Sequence, residues 1–197
     1  MRRLPRRTVL LLGLAATACA TNTIEVPTSF EPLDFDYLTK FRLNVASVEI
    51  NDAWRSGPRD LGSLSPEVPM LALRRMAEQR LLAGGGAGRA VFVIDQASLA
   101  IVGGNYLGNF AVHLDMLDEA GARAGFAEAR VSRSATAHND SPGQTRAGLY
   151  QLTRALMGDM NVEFDFQIRR SLRSFLQTTA ATAPVPPRVE TQDLPPP

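Results

Sequence analysis

FAVHLDMLDEAGARAGFAEARVSRSAT, residues 110–136, decides the fold. Two strand-prone runs, Phe110–Leu117 and Phe126–Thr136, flank Asp118-Glu119-Ala120-Gly121. An aspartate can bond to the backbone just ahead of it, and a glycine accepts the left-handed conformation that tight turns require. The spacing therefore predicts an antiparallel hairpin. Upstream, Val91, Val93 and Leu99–Val102 predict a further strand, joined to the hairpin by the loop Gly103-Gly104-Asn105-Tyr106-Leu107-Gly108-Asn109. Downstream, Ser141-Pro142-Gly143-Gln144 matches a capping box with proline at the first helical position, and opens a long final helix.

Two more elements precede these. Phe41–Ile50 reads as a strand in which Leu43 and Val45 lie on one face and Val48 and Ile50 on the other, so either a bulge falls near Ala46-Ser47 or both faces are covered. Pro69 can start a helix that places Leu73, Met76, Ala77 and Leu81 on one face and Arg74, Arg75, Glu78 and Gln79 opposite, with Gly84 as its terminator. The order β-α-β-β-β-α predicts an α+β domain over residues 40–176, built on a mostly antiparallel four-stranded sheet. That length suits one hydrophobic core.

In the final helix, Leu149, Leu152, Leu156 and Met160 cluster in one direction, while Phe164, Ile168, Leu172 and Phe175 centre about a quarter turn away. Such a rotating stripe predicts that the second half faces the first helix, follows the twist of the sheet, or meets a partner through residues such as Phe164.

The ends of the chain carry its address. Arg2, Arg3, Arg6 and Arg7 form a basic region, Val9–Ala18 an apolar one of about ten residues, and Ala16-Thr17-Ala18-Cys19 a small-residue cleavage site. The apolar run is too short to span a bilayer core, which takes roughly 20 residues. With Cys19 directly after the small residues, the segment resembles a bacterial lipobox. That resemblance implies a signal peptide over residues 1–18 and Cys19 as the mature N-terminus, acylated with diacylglycerol and palmitate. Ala16 stands where the pattern prefers leucine, and plain secretion with cleavage near Ala18 is the alternative. Arg6-Arg7 also resembles a twin-arginine signal, from which Pro5 and Val9 depart. Residues 19–39, with Pro27 and Pro32, read as a tether. Residues 177–197, Thr/Ala/Pro-rich and closing on Pro195-Pro196-Pro197, read as a disordered tail.

Removing the leader reverses the charge. The whole chain has 21 Lys and Arg against 20 Asp and Glu. Residues 1–18 hold four arginines and no acid, which leaves 17 basic against 20 acidic residues in the mature chain. The basic excess that would have pointed to nucleic acid belongs to the leader, so no nucleic-acid partner is expected. Cys19 is the single cysteine, and no intramolecular disulfide can form.

Motifs for chemistry are lacking, and neither catalytic residues, a metal nor a cofactor is expected. Gly84-Gly85-Gly86-Ala87-Gly88 follows a helix and leads into a strand, the reverse of the order that cradles phosphate at a helix N-terminus. His113 alternates with Val112 and Leu114 and shares a strand face with Asp115, as on a solvated face. His138 lies in one polar loop with Ser134 and Ser141, too local for a triad. Asp159 and Glu163, four apart, have Arg169 and Arg170 nearby as ion-pair partners. The predicted contact residues are apolar. Tyr106 and Leu107 sit at the tip of the glycine-rich loop, Trp54 in the loop after the first strand, and Phe164 on the rotating stripe; exposed apolar side chains of this kind mark contact surfaces.

An α+β domain of this element order behind a lipobox resembles small periplasmic lipoproteins that accompany envelope lipid transport. These are the auxiliary lipoproteins of ABC-type systems and the lipopolysaccharide-assembly lipoprotein family, in which two helices pack on one face of a sheet. It is also similar to uncharacterised Gram-negative lipoproteins, through RLNVASVEI at 42–50 and LTRALMGDMNVEFDFQIR at 152–169. The resemblance implies a non-enzymatic accessory with an envelope protein partner, held by Cys19 at the periplasmic side of the outer membrane, since Ala20 rather than aspartate follows the cysteine. The alternative is a carrier holding a lipid or glycan in an apolar cavity between sheet and helices. Fold analogy carries no residue roles with it.

Overall fold

The computed structural model describes Pro27 and residues 29–137 and 141–177; Cys19 with its leader, His138 and residues 178–197 lie outside the described residues. The elements are β1 (Phe41–Leu43), β2 (Ser47–Asn51), α1 (Pro69–Arg80), β3 (Leu81–Ala83), β4 (Arg89–Val102), β5 (Asn105–Leu117), β6 (Arg123–Thr136) and α2 (Pro142–Ser171). Four strands form one sheet in the order β2-β4-β5-β6, and β1 pairs with β3 in a small second sheet. The main sheet is antiparallel except between β2 and β4, which are parallel because α1 carries the chain back across between them. The class is α+β, as expected.

The run at residues 41–50 is two strands rather than one. Val45 donates its backbone N–H to the Leu43 carbonyl at 2.8 Å in a three-residue turn centred on Asn44, and the side-chain alternation reverses just after Val45, at Ala46-Ser47. Leu43 and Val45 are therefore buried together, while Val48 and Ile50 are half-buried on β2. Opposite this break the glycine run supplies a matching irregularity. Gly84 and Gly85 donate to the carbonyls of Leu43 and Val45, and a Cβ on Gly86 would overlap the Asn44 carbonyl. Gly84 does not end α1: the helix stops at Arg80, and Leu81, expected on its apolar face, begins β3.

β4 is continuous across the expected gap, with a bulge at Asp95 where the register to β5 shifts between Ile94 and Gln96. The extra residue switches the buried set from Ala90, Phe92 and Ile94 to Ala97 and Leu99. The seven-residue loop expected before β5 shrinks to Gly103 and Gly104, both with positive φ, so that Val102 pairs directly with Asn105. Two residues at positive φ make the tight hairpin turn that matches strand twist. The next turn is the one its residues predict, with the Asp118 carboxylate accepting the Ala122 N–H at 2.8 Å and Gly121 at φ 82°.

α2 opens with the capping box: Gln144 N–H donates to Ser141 Oγ, and the Gln144 side chain accepts the Ser141 N–H at 2.8 Å. Ser141→Ala is expected to cost about 1 kcal/mol, read as a lower urea midpoint at unchanged slope, with Ser141→Asp restoring it.

The rotating stripe is a single row. Leu152, Leu156, Met160, Phe164, Ile168 and Leu172 are all buried and advance in steps of four. Each step turns the row by about 40°, so successive residues reach different strands: Leu152 and Leu156 lie over Gly108 of β5, Phe164 against Phe92 of β4 and Phe41 of β1, and Leu172 over Gly125 of β6. Phe164 lies edge-on to Phe92 at 5.6 Å and to Phe41 at 6.4 Å, at the junction of both sheets with α2. Both helices share one core with the sheet.

The boundaries of this domain are wider than 40–176. Phe35 is buried, and Leu33 and Leu38 pack on the core. Gln79 of α1 accepts the Phe35 N–H at 2.7 Å, Glu67 accepts the Leu33 N–H, and Arg75 donates to the Leu33 carbonyl. Residues 30–39, read as tether, are a strap over the helices. At the other end Gln177, read as tail, bonds the Arg42 and Gly84 carbonyls.

Candidate functional site

The four predicted contact residues are not brought together. Tyr106 is buried, its ring lying where Gly148 of α2 has no side chain; a Cβ there would stand 2.9 Å from the ring. Phe164 is buried at the core junction described above. Trp54 is half-buried over the start of α1, in a cleft of about 350 Å³ with Met70 and Asp60. Leu107 is on the sheet face turned away from the helices, opposite Ala100 and diagonal to Val102. The hairpin tip itself is Ile101 and Val102, which are 50% and 58% exposed.

A larger apolar surface lies on the far side of α2. Val162 and Phe166 are 73% and 53% exposed and form an i,i+4 pair. Together with Leu38 and Thr39 of the strap they bound a cleft of about 480 Å³. Tyr37, 77% exposed, precedes Leu38 on the same strap. The helical spacing contained this signal: Val162 and Phe166 lie two positions either side of Phe164, about 200° around the axis, so burying Phe164 points both outward. No comparable signal marked Tyr37 and Leu38, because the strap has no periodicity.

The floor of that cleft is ionic. Arg80 is 2% exposed and donates to Asp165 at 3.0 Å, to the Asn161 side chain at 3.1 Å and to the Thr39 carbonyl at 3.2 Å, with its guanidinium 5.0 Å from the Phe41 ring centre. Burial pulls the Arg80 pKa down and Asp165 pushes it back up. A guanidinium stays protonated in either case. Arg169 also pairs with Asp165, which holds its pKa above the ordinary value. One guanidinium thus joins α1, α2 and the strap.

A second cleft of about 490 Å³ adjoins the first and shares Thr39 and Arg169 with it. Lys40, Arg42 and Arg173 line it. Among the described residues no acidic side chain pairs with Arg42 or Arg173, and Arg170 lies over the Phe166 ring at 5.9 Å. The site is therefore an apolar strip with a cationic margin.

The polar residues weighed for chemistry occupy other places. His113 lies on the face away from the helices, its Nδ1 2.7 Å from Asp95, which the bulge turns to that side, and its Nε2 3.6 Å from Asp115. Arg123 pairs with Asp115 at 2.9 Å and covers Phe126. Asp159 is bound by Arg133, and Glu163 by Gln167. Among the described residues no three His, Cys, Asp or Glu side chains converge to hold a metal ion. No helix among them is long and apolar enough to cross a membrane.

No protein-family model and no curated protein matches the chain. Among solved structures it is similar to a minor lipoprotein of Acinetobacter baumannii at 13% identity and TM-score 0.39, over 66% of this chain and 96% of that one. It is also similar to a Xanthomonas campestris protein of family DUF330 at 10% identity and TM-score 0.35, over 71% and 96%.

Proposed function

We propose that this chain is an envelope lipoprotein, anchored by an acylated Cys19 at the periplasmic side of the outer membrane. There it serves as a non-enzymatic accessory to a membrane or transporter protein in lipid transport or envelope assembly. The single observation that carries the accessory role over the carrier role is the filled space between sheet and helices. At Gly108, in the middle of β5, a single added carbon would overlap Leu156 Cδ1 and crowd Leu99 and Leu152. At Gly125 of β6 it would meet Phe175 and Leu172 within 3 Å. A layer too tight for one methyl group has no room for an acyl chain or a sugar. Apolar surface is instead on the outside. At the hairpin tip, exposed Val102 with Leu107 diagonal to it on the side away from the helices, and exposed Ile101 on the other side of the tip opposite Tyr106, offer a protein partner a compact apolar contact.

Two measurements test this. Mass spectrometry of the mature N-terminus is expected to find lipid on Cys19, and an unmodified cysteine overturns the anchor. Cross-linking in intact cells is expected to retrieve an envelope protein with the wild type and at least about tenfold less with Ile101→Ser/Val102→Ser, the loss expected when an apolar anchor pair is removed. Retrieval unaffected by the tip change, or none by the wild type, overturns the accessory role.

A further inference from the structure

We infer that the outer face of α2 around Val162 and Phe166, with residues 37–42 of the strap end and β1, lies on an anionic lipid surface; this rests on the lipid-anchor reading of Cys19. The first support is the composition of the two adjoining clefts. Exposed Tyr37, Val162 and Phe166 sit beside five cations: Lys40 and Arg169, paired with Asp36 and Asp165, and Arg42, Arg170 and Arg173, which pair with no acidic side chain among the described residues. The mature chain has 17 basic against 20 acidic residues, so a local excess of cations around an apolar strip runs against its composition. Apolar and aromatic side chains bordered by Lys and Arg are what an interfacial surface needs: the former enter the headgroup boundary and the latter meet lipid phosphates.

The second support is where the anchor reaches. Phe30 packs on Tyr150, whose hydroxyl donates to the Glu31 carbonyl at 2.9 Å, so the chain arrives on the helix layer and runs as the strap towards the cationic margin. Cys19 lies eleven residues before Phe30, a separation of no more than about 40 Å. An acyl chain on Cys19 therefore tethers the domain through its helix layer. One acyl chain alone binds marginally, and a basic-apolar patch on the same side completes a two-point attachment. In this orientation Val102 and Leu107 look away from the membrane, free for a protein partner.

The chain from Ala20 onward, which holds every described residue and lacks the anchor, isolates the patch. Flotation with vesicles of phosphatidylethanolamine and phosphatidylglycerol is compared with flotation on phosphatidylcholine. Binding is expected to the anionic vesicles alone, and to fall about fivefold between roughly 50 and 300 mM salt as screening shortens the reach of the cations. Phe166→Ser and Arg173→Glu are each expected to reduce the floated fraction at least threefold, while Phe126→Ser on the opposite face leaves it unchanged. Absence of flotation, equal flotation on neutral vesicles, or variants that float as the wild type does overturns the inference. It is also overturned if vesicle binding is absent and Phe166→Ser abolishes the cross-link to an envelope protein, which assigns the cleft to protein. Lipid found or not found on Cys19 by mass spectrometry judges the anchor separately.

Discussion

Phe164→Ala lowers the free energy of unfolding by about 3–5 kcal/mol, the range for removing a fully buried phenylalanine, and the melting temperature by on the order of 10 °C. The ring is 1% exposed and meets Phe92 and Phe41 edge-on, at 84° and 89° between planes. Alanine removes both edge-to-face contacts and leaves a cavity where the two sheets and α2 meet, a place that three elements prevent from collapsing. Urea denaturation followed by circular dichroism measures the loss. The same variant separates two roles for this residue. A partner-contact residue would leave stability within about 0.5 kcal/mol of wild type, as exposed positions do. Phe166→Ser, two positions along and on the outside, is expected to show that small change.

Arg80→Ala costs about 3–5 kcal/mol, because removing one partner from a buried ion pair strands the others. Asp165 keeps Arg169, but Asn161 Oδ1 and the Thr39 carbonyl lose their donor, and Phe41 loses the cation above its ring. Arg80→Lys recovers little, since a single ammonium cannot span the three directions that the planar guanidinium serves. The strap should loosen with it, which amide hydrogen exchange at residues 35–39 would report as faster exchange than in the wild type. A loss below about 1 kcal/mol would mean that the burial of Arg80 offsets everything its hydrogen bonds contribute.

Parts of this architecture were legible because they are written in short-range chemistry. Asp118 to Gly121 can hardly be other than a turn, and Ser141-Pro142-Gly143-Gln144 satisfies its own helix end from within four residues. Other features depend on residues distant in the chain. Nothing near Tyr106 announces that Gly148, 42 positions later, leaves space for its ring. The break at Ala46-Ser47 and the bulge at Asp95 both reverse the alternation of side chains, and a pattern of period two cannot say whether a reversal marks a bulge, a break or a second covered face. The strap at residues 30–39 lacks any periodicity, so its apolar residues looked like those of a linker until α1 and α2 supplied the groove they fill.

For the site the division is similar. Helical geometry alone ties Val162 and Phe166 to the side opposite Phe164, yet it is silent on which side is outside. By itself the sequence determined the order of elements, the hairpin, the helix start, and an export-type leader ending at a cysteine, because each of these follows from residues within a few positions of one another. Only the tertiary structure decided that Phe164 and Tyr106 are core and Val162 and Phe166 surface, since burial is a property of what packs against a face. It also set five cations beside that surface, drawn from a strap, a short strand and the end of a helix more than a hundred residues apart, which no local pattern could have joined.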